Sequence, residues 1–124
     1  MRLAALLDRG GRAREAQLAH ALRAVPVFAE LPRADLLAVW RGLRALRLPA
    51  GAVVFRRGDP GDAFYVLRRG TVELCLGRGP EAVPVRRLGP GDAFGEMALV
   101  TGAPRSTDAV VAEDARAKIG RAHV

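Results

Sequence analysis

A single cysteine in 124 residues, Cys75, excludes an intrachain disulfide and leaves no cysteine pair for a metal or a redox couple. A structural, at least half-buried role is expected for it. Histidine is almost as scarce, with His20 in an N-terminal stretch of helical pattern and His123 at the far end. The strand-rich middle of the chain therefore holds none, which excludes the usual metal-binding small β-barrel; no other catalytic grouping stands out, and no enzyme is expected. No apolar run approaches the roughly 20 residues that cross a bilayer. The five apolar residues before Asp8 are too few for the core of a secretion signal, so a cytoplasmic chain is the default expectation. Lysine and isoleucine occur once each, as Lys118 and Ile119, in a chain that otherwise uses Arg, Val and Leu. The segment Ile119-Gly120-Arg121-Ala122-His123-Val124 resembles one reading frame of a common sequencing-library adapter. Residues 118–124 are therefore expected to be a non-native tail on a protein cut near Ala117.

What is present points to a compact, turn-rich domain. Half of the residues are apolar, with 14 Gly and 8 Pro. The net charge of +7 comes from arginines scattered in ones and twos; without Lys118 and Arg121, 18 basic residues face 13 acidic ones, a balance of +5. Neither a clustered basic stretch nor a recognition motif is visible, so direct nucleic-acid binding is not expected.

Two helices are predicted first, over 12–25, with Leu18, Leu22 and Val25 on one face, and over 32–46, with Leu36, Val39, Trp40 and Leu43 on one stripe. After Pro49-Ala50-Gly51 the pattern changes to short apolar runs between glycine-rich breaks, at 52–55, 63–67, 71–76, 83–88 and 108–112. That spacing predicts a mainly β domain with flanking helices, an antiparallel sandwich or barrel. Pro84 places its strand at an edge or on a bulge.

The pentapeptide Pro-Gly-Asp-Ala-Phe occurs twice, at 60–64 and 90–94. Pro-Gly fits the centre of a type II turn, and Ala-Phe begins an extended segment with its ring toward the core. The first copy runs on as a strand and is expected to serve the fold alone. The second breaks at Gly95-Glu96 into a short helical turn over 96–100, followed by Pro104-Arg105-Ser106. A glycine, a helix start, a carboxylate and an arginine within eleven residues make a candidate anion site. Phosphate alone gives Glu96 no partner, so it either accepts from a ligand hydroxyl, as a ribose phosphate would offer, or forms a salt bridge with Arg105 that only closes the loop.

The chain from Val25 to about Ala112 resembles the cyclic nucleotide-binding domains of protein kinase A regulatory subunits, bacterial catabolite activators and cyclic-nucleotide-gated channels. The resemblance is carried by Val27-Phe28 with Leu31-Pro32, by the segment from Gly58 to Val72, and above all by Phe94-Gly95-Glu96-Met97-Ala98-Leu99-Val100 with Pro104-Arg105-Ser106. It implies an antiparallel β-roll, jelly-roll-like, with N-terminal helices and a short phosphate-binding helix. The implied organisation is a helical lead-in at 1–24 and a binding domain at 25–117 that lacks its last strand and lid helix. The implied ligand is a 3′,5′-cyclic nucleotide, cAMP rather than cGMP, with no separate cofactor. Glu96 would take the ribose 2′-hydroxyl and Arg105 the exocyclic phosphate oxygens. Backbone amides of Gly95, Ala98 and Ser106 would complete the site, with Met97 inside the same cassette. The partner would be an effector absent from this chain; the alternatives are a degenerate scaffold that binds nothing, or the sensor fragment of a helix-turn-helix transcription factor. Asp108 departs from the family pattern, and its side chain is expected to point away from the pocket.

Overall fold

The run Ala63-Phe64-Tyr65-Val66-Leu67 is buried at every position. A strand covered on one face alternates, so unbroken burial means that both faces are covered. In the computed structural model, which describes residues 13–77 and 79–121, the two covers are different. Ala63, Tyr65 and Leu67 pack inside a barrel with Phe55, Val72 and Leu88, while Phe64 and Val66 pack against helices with Leu22, Leu36 and Trp40. Burying a Phe or Leu side chain of this kind stabilises the fold by about 1.5–3 kcal/mol.

Helix α1 (13–20) passes through 3-10 turns at Ala21–Ala24 and Pro26–Phe28 into α2 (Arg33–Gly42). Six strands follow: β1 (Arg44–Leu48), β2 (Val53–Phe55), β3 (Ala63–Leu76), β4 (Val83–Leu88), β5 (Ala93–Phe94) and β6 (Asp108–Arg121), with α3 (Met97–Thr101) between the last two. All pairings are antiparallel. The order is β1-β6-β3-β4, with β2 on β6 and β5 on β3. The mainly β, antiparallel roll with flanking helices expected from the sequence is thus the observed fold. Pro84 lies on the outermost strand of that order, at a register shift opposite Leu74 and Cys75. No helix among the described residues is long and apolar enough to cross a membrane.

Several boundaries differ from the sequence reading. The second helix stops at Gly42 instead of running to residue 46, because Leu43 turns extended (φ −75°, ψ 149°) and Arg44–Leu48 pairs with β6. Arg, Ala and Leu are good helix formers, but a strand partner overrides so weak a preference. The runs at 63–67 and 71–76 form one strand, with the register slipping around Arg69 instead of breaking at Gly70. The final strand extends from 108 to 121 rather than to 112. Lys118 and Ile119, unusual in composition, continue that strand; Ile119 is buried in the barrel and Lys118 Nζ donates to the Trp40 carbonyl (2.9 Å). Burial and the nearby Arg68 cation push the Lys118 ammonium below its usual range. Residues 1–12 of the expected lead-in, Arg78 of the hairpin loop and 122–124 of the expected tail lie outside the described residues.

The repeated pentapeptide is not used twice in the same way. In the second copy, Asp92 N–H donates to the Gly89 carbonyl (3.0 Å) and its carboxylate accepts from Gly89 N–H (2.8 Å). The equivalent turn near the first copy comes three residues earlier. There Asp59 N–H donates to the Arg56 carbonyl (3.0 Å), and the Asp59 carboxylate accepts from Arg56 N–H (2.9 Å). Pro60-Gly61 therefore lies outside that turn.

Candidate functional site

Phe94 ends β5 opposite Tyr65, its ring stacked on the phenol at 5.1 Å between centroids. The Tyr65 hydroxyl is pushed above its usual range by burial, partly offset by Arg105 and Arg121, and stays neutral. The chain then turns at Gly95 (φ +82°), where an added Cβ would stand 2.8 Å from Arg105 Nη1 and 3.1 Å from the Ala63 carbonyl oxygen. Glycine is needed there for its left-handed backbone and for space. Glu96 caps α3 without a side-chain hydrogen bond, and the amides of Met97 and Ala98 in its first turn find no acceptor among the described residues.

Arg105 enters the same place from the strand side. Its backbone pairs with the 58–59 loop, donating to the Asp59 carbonyl (2.9 Å) and accepting from Gly58 N–H (2.8 Å). The side chain is buried; Nη1 donates to the Gly95 carbonyl (2.6 Å) and Nη2 to the Ala63 carbonyl (2.5 Å), with the guanidinium 4.2 Å above the centre of the Phe55 ring. A guanidinium has five N–H donors in one plane. Two are used, and the Nε–H is buried without an acceptor among the described residues. Three donors are therefore left on a fork held flat by two carbonyls and an aromatic face.

These groups line one cleft of about 230 Å³ that holds all six residues singled out in the sequence: Gly95, Glu96, Met97, Ala98, Arg105 and Ser106. Met97 and Ser106 are exposed, and Glu96 is half-buried. No ion pair joins Glu96 to Arg105, and the Glu96 carboxylate accepts no hydrogen bond among the described residues. The loop-closing salt bridge left open by the sequence is not formed. Asp108 does not line the cleft. Its carboxylate accepts from Arg57 N–H (2.7 Å) and lies 3.7 Å from Arg56 Nη1, so it faces the 56–57 loop, buried rather than solvated.

Five contributors give no signal of this role in the sequence. Ala63 and Asp59 act through backbone oxygens, for which a side chain gives no signal. Phe55 reads as an ordinary core residue, and Arg86 reaches the cleft only because β4 pairs with β3. Gly61, in the first pentapeptide, packs against α3 so closely that an added Cβ would fall 2.0 Å from Ala98 Cβ. The first copy therefore serves the site as well as the fold, contrary to the sequence expectation.

Residues 45–119 match the family model of the cyclic nucleotide-binding domain. The chain belongs to that family. Among curated relatives, a cyclic nucleotide-gated potassium channel of Mesorhizobium japonicum is 47% identical over 67% of this chain and 22% of its own. A cAMP-dependent protein kinase regulatory subunit of Aspergillus niger is 38% identical over 81% of this chain and 24% of its own. The domain thus spans less than a quarter of the length of either relative. A solved cyclic nucleotide-binding-like protein from Brucella abortus superposes with a TM-score of 0.74 at 30% identity, covering 84% of this chain and 90% of that one.

Proposed function

We propose that this domain binds a 3′,5′-cyclic nucleotide, cAMP in preference to cGMP, and relays its occupancy to an effector outside the chain, releasing the ligand unchanged. The observation that carries this reading is a carboxylate, Glu96, with no partner among the described residues, in the same cleft as an arginine fork that has three donors to spare among them. A cyclic phosphate keeps one ribose hydroxyl, which donates to Glu96, while its charged exocyclic oxygens accept from Arg105 and from the amides of Met97 and Ala98. The N-terminal end of α3 adds favourable potential there. The preference for cAMP rests on the cAMP-dependent regulatory subunit among the relatives.

Calorimetric titration with cAMP and with cGMP tests the proposal. Glu96→Gln keeps the shape but replaces a charged acceptor by a neutral one, which costs about 1 kcal/mol. An affinity loss of about fivefold is expected. No heat with either nucleotide from folded protein would favour the scaffold alternative, and a changed nucleotide recovered afterwards would contradict a purely binding role.

Arg86 favours a second reading, in which cGMP is the ligand. Its side chain lines the cleft from β4, and among the described residues no carboxylate pairs with it. Guanine presents two acceptors, O6 and N7, that suit an arginine fork, whereas adenine places an amino donor beside N7. If cGMP is the ligand, Arg86→Gln lowers cGMP affinity by tenfold and leaves cAMP affinity within twofold; equal changes for both would remove Arg86 from base selection.

A further inference from the structure

Arginines that are scattered in the sequence are gathered by the strand register. Arg47 on β1, Arg116 on β6 and Arg69 on β3 are direct cross-strand neighbours in one row, all three exposed. Like charges placed directly opposite destabilise an antiparallel sheet. Among the described residues none of the three has a carboxylate within ion-pair distance. Asp114 lies beside the row, but its carboxylate accepts from Ala50 N–H (2.8 Å). The register slips on both sides of Arg69, a local irregularity of the kind that re-aims side chains.

Beside this row, between α1 and the sheet, is a cleft of about 580 Å³ lined by Arg14, Trp40, Arg68, Arg69, Arg116 and Lys118. Among the described residues Glu15 is the single carboxylate on its wall, and Arg41 holds it at 3.0 Å. Arg14 donates to the Arg68 carbonyl (2.8 Å), and the Nε–H of Arg68 is buried without an acceptor among the described residues. A concave site whose cations outnumber its carboxylates among the described residues concentrates positive potential where an anion can enter.

We propose that this cleft is a second ligand site, separate from that of Glu96 and Arg105, for a small anion carrying several phosphoryl groups. Arginine forks bind phosphate oxygens in pairs, and several forks call for several phosphates. Arg14, Arg68, Arg69 and Arg116 suffice for it without Lys118. A concave cleft under a helix suits a free small anion better than the flat surface of a bilayer.

The test uses inorganic tripolyphosphate at about 0.15 M salt, where loose surface attraction is largely screened. Trp40, the sole tryptophan, lines the cleft and reports binding by its fluorescence. Saturable binding is expected, weakened at least tenfold by the double substitution Arg69→Gln with Arg116→Gln. The melting temperature of that variant without ligand should match or exceed the parent's, because a like-charge pair is gone. Cyclic-nucleotide affinity should be unchanged within twofold, so this site and the Glu96 site succeed or fail separately. Equal tripolyphosphate binding by parent and variant would overturn the proposal. So would displacement of tripolyphosphate by cyclic nucleotide, or binding only to vesicles that carry multiply phosphorylated lipid headgroups.

Discussion

Replacing Arg105 by alanine should weaken cyclic-nucleotide binding by tenfold to more than a hundredfold. Each hydrogen bond to a charged group contributes about 1.5–3 kcal/mol, and about 1.4 kcal/mol is a factor of ten. The geometry explains why the loss is that large. In the proposed complex Arg105 would offer phosphate the three donors that the Gly95 and Ala63 carbonyls leave. Removing the side chain also strands those two carbonyls and uncovers the Phe55 ring, so thermal stability should fall together with affinity. Arg105→Lys separates the two effects. An ammonium keeps the charge but cannot serve two carbonyls and a phosphate from one plane, so affinity should remain at least tenfold below the parent even where the melting temperature recovers. Parental affinity in a folded Arg105→Ala protein, measured by calorimetry, would take Arg105 out of the site.

Gly61→Ala should damage the site without touching a ligand. The new methyl would sit 2.0 Å from Ala98 Cβ and 3.3 Å from the Ala103 carbonyl oxygen, so α3 must move away from the loop that precedes β3. Forcing one carbon into a packed contact costs about 1–3 kcal/mol, and in a domain of this size each kcal/mol lowers the melting temperature by about 2–8 °C. Because α3 carries the Met97 and Ala98 amides, affinity should drop as well. A Gly61→Ala protein with the parent's melting temperature and nucleotide affinity would show that α3 does not rest on this residue.

The candidate site was legible in the sequence where side chains of the right chemistry lie at short spacing. Gly95, Glu96 and Arg105 lie within eleven residues and meet in one cleft because one turn and one short helix connect them. What stayed hidden depends on register or on backbone atoms. Arg44–Leu48 looks helical until β6 pairs with it. The two copies of Pro-Gly-Asp-Ala-Phe look equivalent, yet the turns they accompany are offset by three residues, which releases Gly61 to pack on α3. The arginine row cannot be seen in a linear string, because Arg47, Arg69 and Arg116 become neighbours only when three distant strands align.

Strand β6 pairs with β1, β2 and β3, from Arg44 opposite Ile119 to Cys75 opposite Asp108. Every one of those partners precedes it in the chain, so the barrel cannot close by zipping up local hairpins. Large stretches of polypeptide must be confined before β6 contributes its bonds, which is the condition for slow folding, on the scale of about milliseconds to seconds. Until β6 docks, β1 and the β3 edge that it covers have no strand partner on that side. In that interval the half-built roll exposes the edges through which other chains can add.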